Sequence, residues 1–440
     1  MKTCRVTAPF VLAFSLSCFA QSGLGTSGPA NATSGALPRI TVEEAVAAAM
    51  EANPQIHAAV RRLSLAQSRT VTARSLDDPM LMVRDWDTPL RKPWDLNQAQ
   101  LMLSIQQTFV SREKRDIRAK VAGDDVEIAT SDLESLRQEV AAEVRKVCAD
   151  LRRNAEEMKL HDQEASLMKE ALAAALAQYS TGRVQQADVL RAQMAVTRLD
   201  EHHIELEEQQ DAARAQLNAL MSRPADAVVE IAGDYPAAVE MPSLEELERL
   251  AIEHRPELTG LRKGIAKSQD EAGATRLAMK PDFTVALGYM LMPTGSAERN
   301  AYMAEVTMNL PGLNRQRHDG EARQADAVTQ VAQADLEARS SAVFLEVRQA
   351  QIEIAAAQKR TKVYHDTLLP QAETALKAAT AAYQNNRGEF SALIESQDLL
   401  LDIQTALYKA SSARDAGMAD LERAIGTTLP GETNPERKSK

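Results

Sequence analysis

The chain has 440 residues, long enough for two or more ordinary domains. Its composition argues against ordinary globules. Aromatics are 4% and charged residues 26%, and Ala, Glu, Gln, Arg and Leu dominate, as in long helices with narrow buried seams. The net charge of −11 speaks against a nucleic-acid partner, because phosphate binding needs a basic face.

At the N-terminus, Lys2 and Arg5 precede an apolar run from Val6 to Leu16 and then small residues. This is a secretory signal peptide over residues 1–20, too short to span a bilayer as a mature helix. Two processing routes fit. Cys18-Phe19-Ala20 before Gln21 resembles a small-x-Ala cleavage site, whereas Ser15-Leu16-Ser17-Cys18 is a lipobox lacking its usual first Leu, which would make Cys18 a lipidation site. Cleavage after Ala20 would leave Cys148 alone and no intramolecular disulfide. Residues 21–39 read as a flexible leader and 430–440 as a polar tail. No later segment approaches 18 consecutive apolar residues.

Between leader and tail the chain repeats one plan, over residues 40–235 and again over 236–429. Thr41 with Glu44, and Ser243 with Glu246, form capping boxes that open a helix. That helix ends before Pro54 or Pro256, and a second runs to about Leu76 or Met279. The periodicity then changes to two. Strands are expected at Met80–Arg84 and Gln100–Phe109 in the first repeat, and at Phe283–Leu291 and Tyr302–Leu310 in the second. Strands of about ten residues have the length of tilted barrel staves.

A very long helical pattern follows each strand pair, Arg112–Ala177 and Gln316–Ala382, with Leu133, Leu136, Val140, Val144, Val147 and Leu151 forming a seam. Some 65 residues at about 1.5 Å each span roughly 100 Å. Pro370 implies a kink or break near Leu368–Leu369. Returning helices are expected at Ala187–Met221 and Phe390–Ile425. The turns between form two hairpin tips, Tyr179-Ser-Thr-Gly182 with Asp188 and Leu190, and Tyr383-Gln-Asn-Asn386 with Gly388, Ser391, Ile394 and Glu395. Gly182 and Asn386 are residue types that tolerate positive φ at a helix end.

Four strands cannot close a barrel or satisfy their own edges in lipid, so an oligomer is required. The duplicated plan, the T-V-E-E-A…N-P start, the strand pairs and both Y-x-x-(G/N) tips resemble the TolC-like outer-membrane efflux proteins from Ile40 to Gly426. Asp78-Pro-Met-Leu-Met, Gln107-Thr-Phe…Lys114-Arg, Pro281-Asp-Phe-Thr-Val-Ala-Leu-Gly-Tyr-Met and Asn309-Leu-Pro-Gly-Leu-Asn-Arg-Gln-Arg resemble its heavy-metal (CzcC/CusC-like) branch. The Val-Ser-Arg-Glu after Phe109 departs from that branch's Pro-Gly-rich corner. The resemblance implies a mainly α fold with a small β part: long antiparallel helical hairpins plus four strands per chain. It also implies a homotrimer whose 12-stranded β-barrel in outer-membrane lipid continues as a helical barrel through the periplasm. It implies a passive exit duct docked onto a periplasmic adapter (membrane fusion) protein and an inner-membrane efflux pump, with Tyr179, Gly182, Asp188, Leu190, Tyr383, Asn386, Gly388 and Glu395 at the adapter-docking and gate tips. Asp188 and Glu395 read either as carboxylate rings favouring cations or as first-turn residues that complement a helix dipole.

No phosphate loop, nucleophile elbow, Cys/His ligand spacing or HExxH is present in the sequence, so neither an enzyme nor a resident cofactor is expected. His202 and His203 diverge on a helix and read as solvated. Seven of the 16 Met residues (Met80, Met82, Met102, Met290, Met292, Met303, Met308) fall in or directly beside the expected strands. They read first as lipid-facing or filler side chains, with thioether ligation of a soft metal as the alternative. Trp86 and Trp94 lie in the loop between the first two strands, where they would suit a membrane interface. Cargo is left open between metal cations, drugs or other small organic molecules, and proteins. A soluble periplasmic coiled-coil scaffold is the reading from a different class.

Overall fold

The structure, a computed structural model, describes residues 39–86, 100–233, 241–292, 296, 298, 300–385, 387 and 389–429. The expected signal peptide, most of the leader, Cys18, Trp94, Asn386, Gly388 and the polar tail lie outside the described residues.

The first repeat runs β1 (Arg39–Ile40), α1 (Val42–Ala52), α2 (Pro54–Ala73), β2 (Met80–Trp86), β3 (Gln100–Phe109), α3 (Arg112–Ser180), α4 (Gln186–Leu220) and β4 (Glu230–Ile231). The second runs α5 (Leu244–His254), α6 (Pro256–Leu277), β5 (Phe283–Leu291), β6 (Asn300–Met308), α7 (Arg315–Val363), α8 (Leu369–Gln384) and α9 (Phe390–Ile425). The parallel pairing of β1 with β4, two residues each, carries too little periodicity to be read from the sequence.

Thr41 makes the full capping box: its Oγ1 accepts from Glu44 N–H at 3.2 Å, and the Glu44 carboxylate accepts from Thr41 N–H at 2.8 Å. Ser243 makes only half of one. Its hydroxyl accepts from Glu246 N–H at 3.3 Å, but Arg249 takes the Glu246 carboxylate. The guanidinium, one turn on, outcompetes a backbone amide for the charge. Each first helix stops at the proline that opens the next, because proline disfavours α geometry in the residue before it. Trp86, expected in a loop, ends β2, and Met292 lies just beyond β5.

α3 is one unbroken helix of 69 residues, roughly 100 Å long. Its counterpart, expected to kink or break near Leu368–Leu369, is interrupted just there, by a π turn and not by a break. A π-helical turn over Tyr364–Leu368 joins α7 to α8, and Leu369 N–H reaches back to Tyr364 O. Proline lacks an N–H and collides with the carbonyl four residues earlier, so one widened turn ahead of it lets the helix continue. α4 and α9 return along α3 and α7.

Each repeat has its own apolar core. The first packs α1, α2, α3 and α4 through Ala45, Ile56, Val144, Cys148 and Leu217. The second packs α5, α6, α7 and α9 through Leu247, Leu258, Val343, Ile354 and Leu421. The repeats meet in one antiparallel sheet of order β2-β3-β5-β6, so β3 of one lies against β5 of the other. Among the described residues, β2 and β6 are its free edges.

Candidate functional site: the hairpin tips and the faces of the sheet

At the first tip, α3 ends in a left-handed cap. Gly182 has φ +70, Arg183 N–H reaches Gln178 O at 2.9 Å, and Gly182 N–H reaches Tyr179 O at 3.0 Å. This pair of bonds is the Schellman motif, and its positive-φ position suits glycine best. Asp188 is the third residue of α4. Its carboxylate accepts from Gln185 N–H at 3.3 Å and from Arg191 Nη1 at 3.2 Å. The helix-capping role is therefore filled. At the second tip, Arg387 N–H reaches Ala382 O at 2.9 Å.

The tips pack on one another. Ala175, Val189, Ala192 and Phe390 form a small core joined by Leu172, Tyr383, Leu393 and Ile394. The Tyr383 hydroxyl stands 3.3 Å from Gln178 Oε1, and its ring lies 5.4 Å from Phe390. Burial and then the nearby Asp188 carboxylate raise the Tyr383 phenol above its ordinary value. Tyr383 and Asp188 are thus brought together across the two hairpins. Tyr179, Leu190 and Glu395 instead point outward, exposed. Gln178 and Phe390 were not singled out from the sequence, because their roles depend on contacts more than 200 residues apart.

Further along the helices, α3, α4 and α9 enclose a polar cleft of about 460 Å³. Glu157 is 3% and His161 8% exposed; Glu157 Oε1 and His161 Nδ1 have no hydrogen-bond partner. His161 packs against His202 at 5.7 Å between ring centres. His202 approaches Glu205 at 3.6 Å, and His203 lies between Asp162 and Glu207, at 3.4 and 3.3 Å. Among the described residues, no group of three His, Cys, Asp or Glu side chains is placed to hold a metal ion.

In the sheet, the register separates two faces. Leu81 opposes Ile105, which opposes Leu287; Val83 opposes Leu103, which opposes Tyr289, which opposes Tyr302. These side chains are exposed, Tyr302 to 88%. The other face carries Ser104, Gln106, Thr108, Thr284, Glu305 and Thr307. Met80, Met82, Met102, Met290 and Met303 are on this polar face, by the same register. Of the expected lipid-facing or filler roles, only the filler one can apply to these five, whereas Met308, opposite Phe283, lies on the apolar face. The alternation of side chains along each strand decides this, and sulfur content alone says nothing of the face. Among the described residues no helix is long and apolar enough to cross a membrane.

One sequence family, the outer membrane efflux proteins, matches residues 45–223 and 247–427. The chain belongs to that family. It is 25% identical over 393 residues to the cobalt-zinc-cadmium resistance protein CzcC of Cupriavidus metallidurans, covering 89% of each chain. Its fold is similar to that of a Pseudomonas aeruginosa membrane protein, with a TM-score of 0.76, 17% identity, and 89% and 93% of the two chains covered. It is also similar to CusC, described as forming a transmembrane channel, with a TM-score of 0.73, 13% identity, and coverage of 89% and 93%.

Proposed function

We propose that the chain is the outer-membrane exit duct of a tripartite efflux system, working as a homotrimer and exporting heavy-metal cations. The observation that carries this is the sheet: four strands with one exposed apolar face and two unpaired edges, β2 and β6. Such a sheet is costly alone in either water or lipid. Three copies pairing β6 to β2 would remove every edge and make a 12-stranded barrel, apolar outside and polar inside. Residues 1–20 would then be the signal peptide, with Cys18 lipidated or removed, and 40–235 and 236–429 the two repeats. The helical hairpins would continue the duct across the periplasm. Their tips, around Tyr179, Gly182, Asp188, Leu190, Tyr383, Asn386, Gly388 and Glu395, would dock a periplasmic adapter bound to an inner-membrane pump. The relative CzcC supports metal cargo, and the absence of any catalytic constellation in the sequence supports a passive role.

Membrane fractionation and native mass in detergent test the architecture, with an outer-membrane trimer expected. A monomer in the soluble periplasmic fraction would establish the scaffold reading instead. A deletion strain is expected to be sensitised to cobalt, zinc, cadmium or copper. Sensitisation to antibiotics alone would make the cargo organic.

A further inference from the structure

Filler methionines belong with the Leu, Ile and Val of an apolar face, but here five share a face with Ser104, Gln106 and Glu305. Met102 directly opposes Met290, which places their Cβ atoms about 5 Å apart. Met82 opposes Ser104, two residues along β3 from Met102, and Met303 opposes Gly288, two residues along β5 from Met290. Those diagonal neighbours are about 7–8 Å apart, within reach of long flexible side chains. The order Met82, Met102, Met290, Met303 therefore zigzags across all four strands. Small residues make room for it: a Cβ on Gly288 would sit 3.0 Å from Ser104 Cβ and 3.5 Å from Met303 Cε. Met102 is only 2% exposed.

Polar contacts already reach the sulfurs. Gln100 Nε2 donates to Met290 Sδ at 2.8 Å, and Arg84 Nη2 to Met82 Sδ at 3.2 Å. The Arg84 guanidinium also lies 5.0 Å over the Trp86 ring. Arg84 stands directly opposite Met102 in the register, but its guanidinium is held at Met82 Sδ and over the Trp86 ring, which sets Met82 apart from the other three sulfurs.

We infer that Met102, Met290 and Met303 form a thioether site for a soft monovalent metal cation, copper(I) or silver(I), on the duct wall of the barrel. Neutral thioethers bind soft d¹⁰ ions in preference to zinc(II) or cobalt(II), and they hold without removing charge, so an ion can enter and leave. The inference rests on the proposed barrel in one respect: the polar face must line its lumen.

The test is silver(I) titration of the full-length protein in detergent, carrying Cys148→Ser and with any other thiol alkylated. Silver binding that is undisturbed by excess zinc(II) and lost in the Met102→Leu, Met290→Leu, Met303→Leu variant is expected. Leucine nearly conserves methionine's volume, so the variant should keep its fold. X-ray absorption at the silver edge of the wild type gives a second reading that needs no variant, with sulfur neighbours expected. No silver bound, equal binding by the Leu variant, or oxygen and nitrogen neighbours alone would overturn the site. The deletion strain separates the two proposals. Unchanged metal resistance with silver bound at the methionines sinks metal export and keeps the site, whereas metal sensitivity with no silver bound does the reverse.

Discussion

Asn53 and Arg255 occupy the same place in the two repeats and make the same joint with different chemistry. Asn53 caps α2 through Oδ1, accepting from Gln55 and Ile56 N–H, while its Nδ2 donates to Leu220 O at the end of α4. Arg255 precedes α6, donates to Ala424 O at the end of α9, and pairs with Glu257 and Glu346. Burial pushes both carboxyls up, but the Arg255 and Arg339 guanidiniums outweigh it and hold them below the ordinary value. Arg255→Ala would leave Ala424 O without its donor and Glu257 and Glu346 to Arg339, and is expected to destabilise by about 2–3 kcal/mol. Asn53→Ala is expected to lose about 1–2 kcal/mol. Unfolding in detergent, compared between the two variants, measures the order. Cys148 is fully buried and its thiol is pushed up to about 12, by burial first. It should resist maleimide in the folded protein and react once unfolded, which mass spectrometry would read.

At the scale of elements, the cap at Gly182 and the polar cleft between α3, α4 and α9 make separate predictions. Gly182→Ala imposes a side chain at φ +70 and should fray the end of α3, costing about 1 kcal/mol and raising amide exchange near Tyr179. In the cleft, burial raises Glu157; one turn beyond His161 on α3, burial with Asp398 pushes Glu164 up to about 7 against a hydrogen bond from Gln397. Burial, then His202, His203 and Lys409, lower His161, with Asp162 opposing. A carboxyl raised in the folded state contributes stability that is present below its unfolded value of 4.5 and lost as pH rises through about 7. A lowered histidine acts oppositely, weakening the seam as pH falls below 6.5. Glu164, raised to about 7, titrates inside this window, so amide exchange over residues 157–168 should slow from pH 7.5 to 5.5 after correction for intrinsic rates. Glu164→Gln should flatten that response; an unchanged slope would rule the explanation out.

At the scale of the molecule, the exposed face of the sheet predicts lipid contact. Leu287→Arg, at mid-strand on that face, should cost about 2–4 kcal/mol of barrel stability in lipid, falling toward the strand ends. Assembly yield in vesicles compares it with Glu305→Gln on the opposite face, where little change is expected.

Much of this was legible along the chain because helices and strands advertise their periods locally. The 3–4 spacing of Leu133 to Leu151 marks α3, and the alternation Phe283 to Leu291 marks β5, whatever lies around them. The Gly182 cap was legible for the same reason, since its hydrogen bonds stay within one turn. Pro370 announced trouble but not its solution, because a break and a π turn differ only in what the neighbouring helix allows. The face of the methionines was not legible because Met suits either side of a strand, and the register with Leu81, Ser104 and Gly288 decides between them. The sequence by itself determined the elements, their lengths and their duplication, all set by local backbone preferences and side-chain spacing. Only the tertiary structure decided the β3–β5 pairing that joins the repeats, the packing of Tyr383 on Gln178 and beside Asp188, and the face on which five thioethers lie. Each of these depends on contacts between residues far apart in sequence, which no local preference encodes.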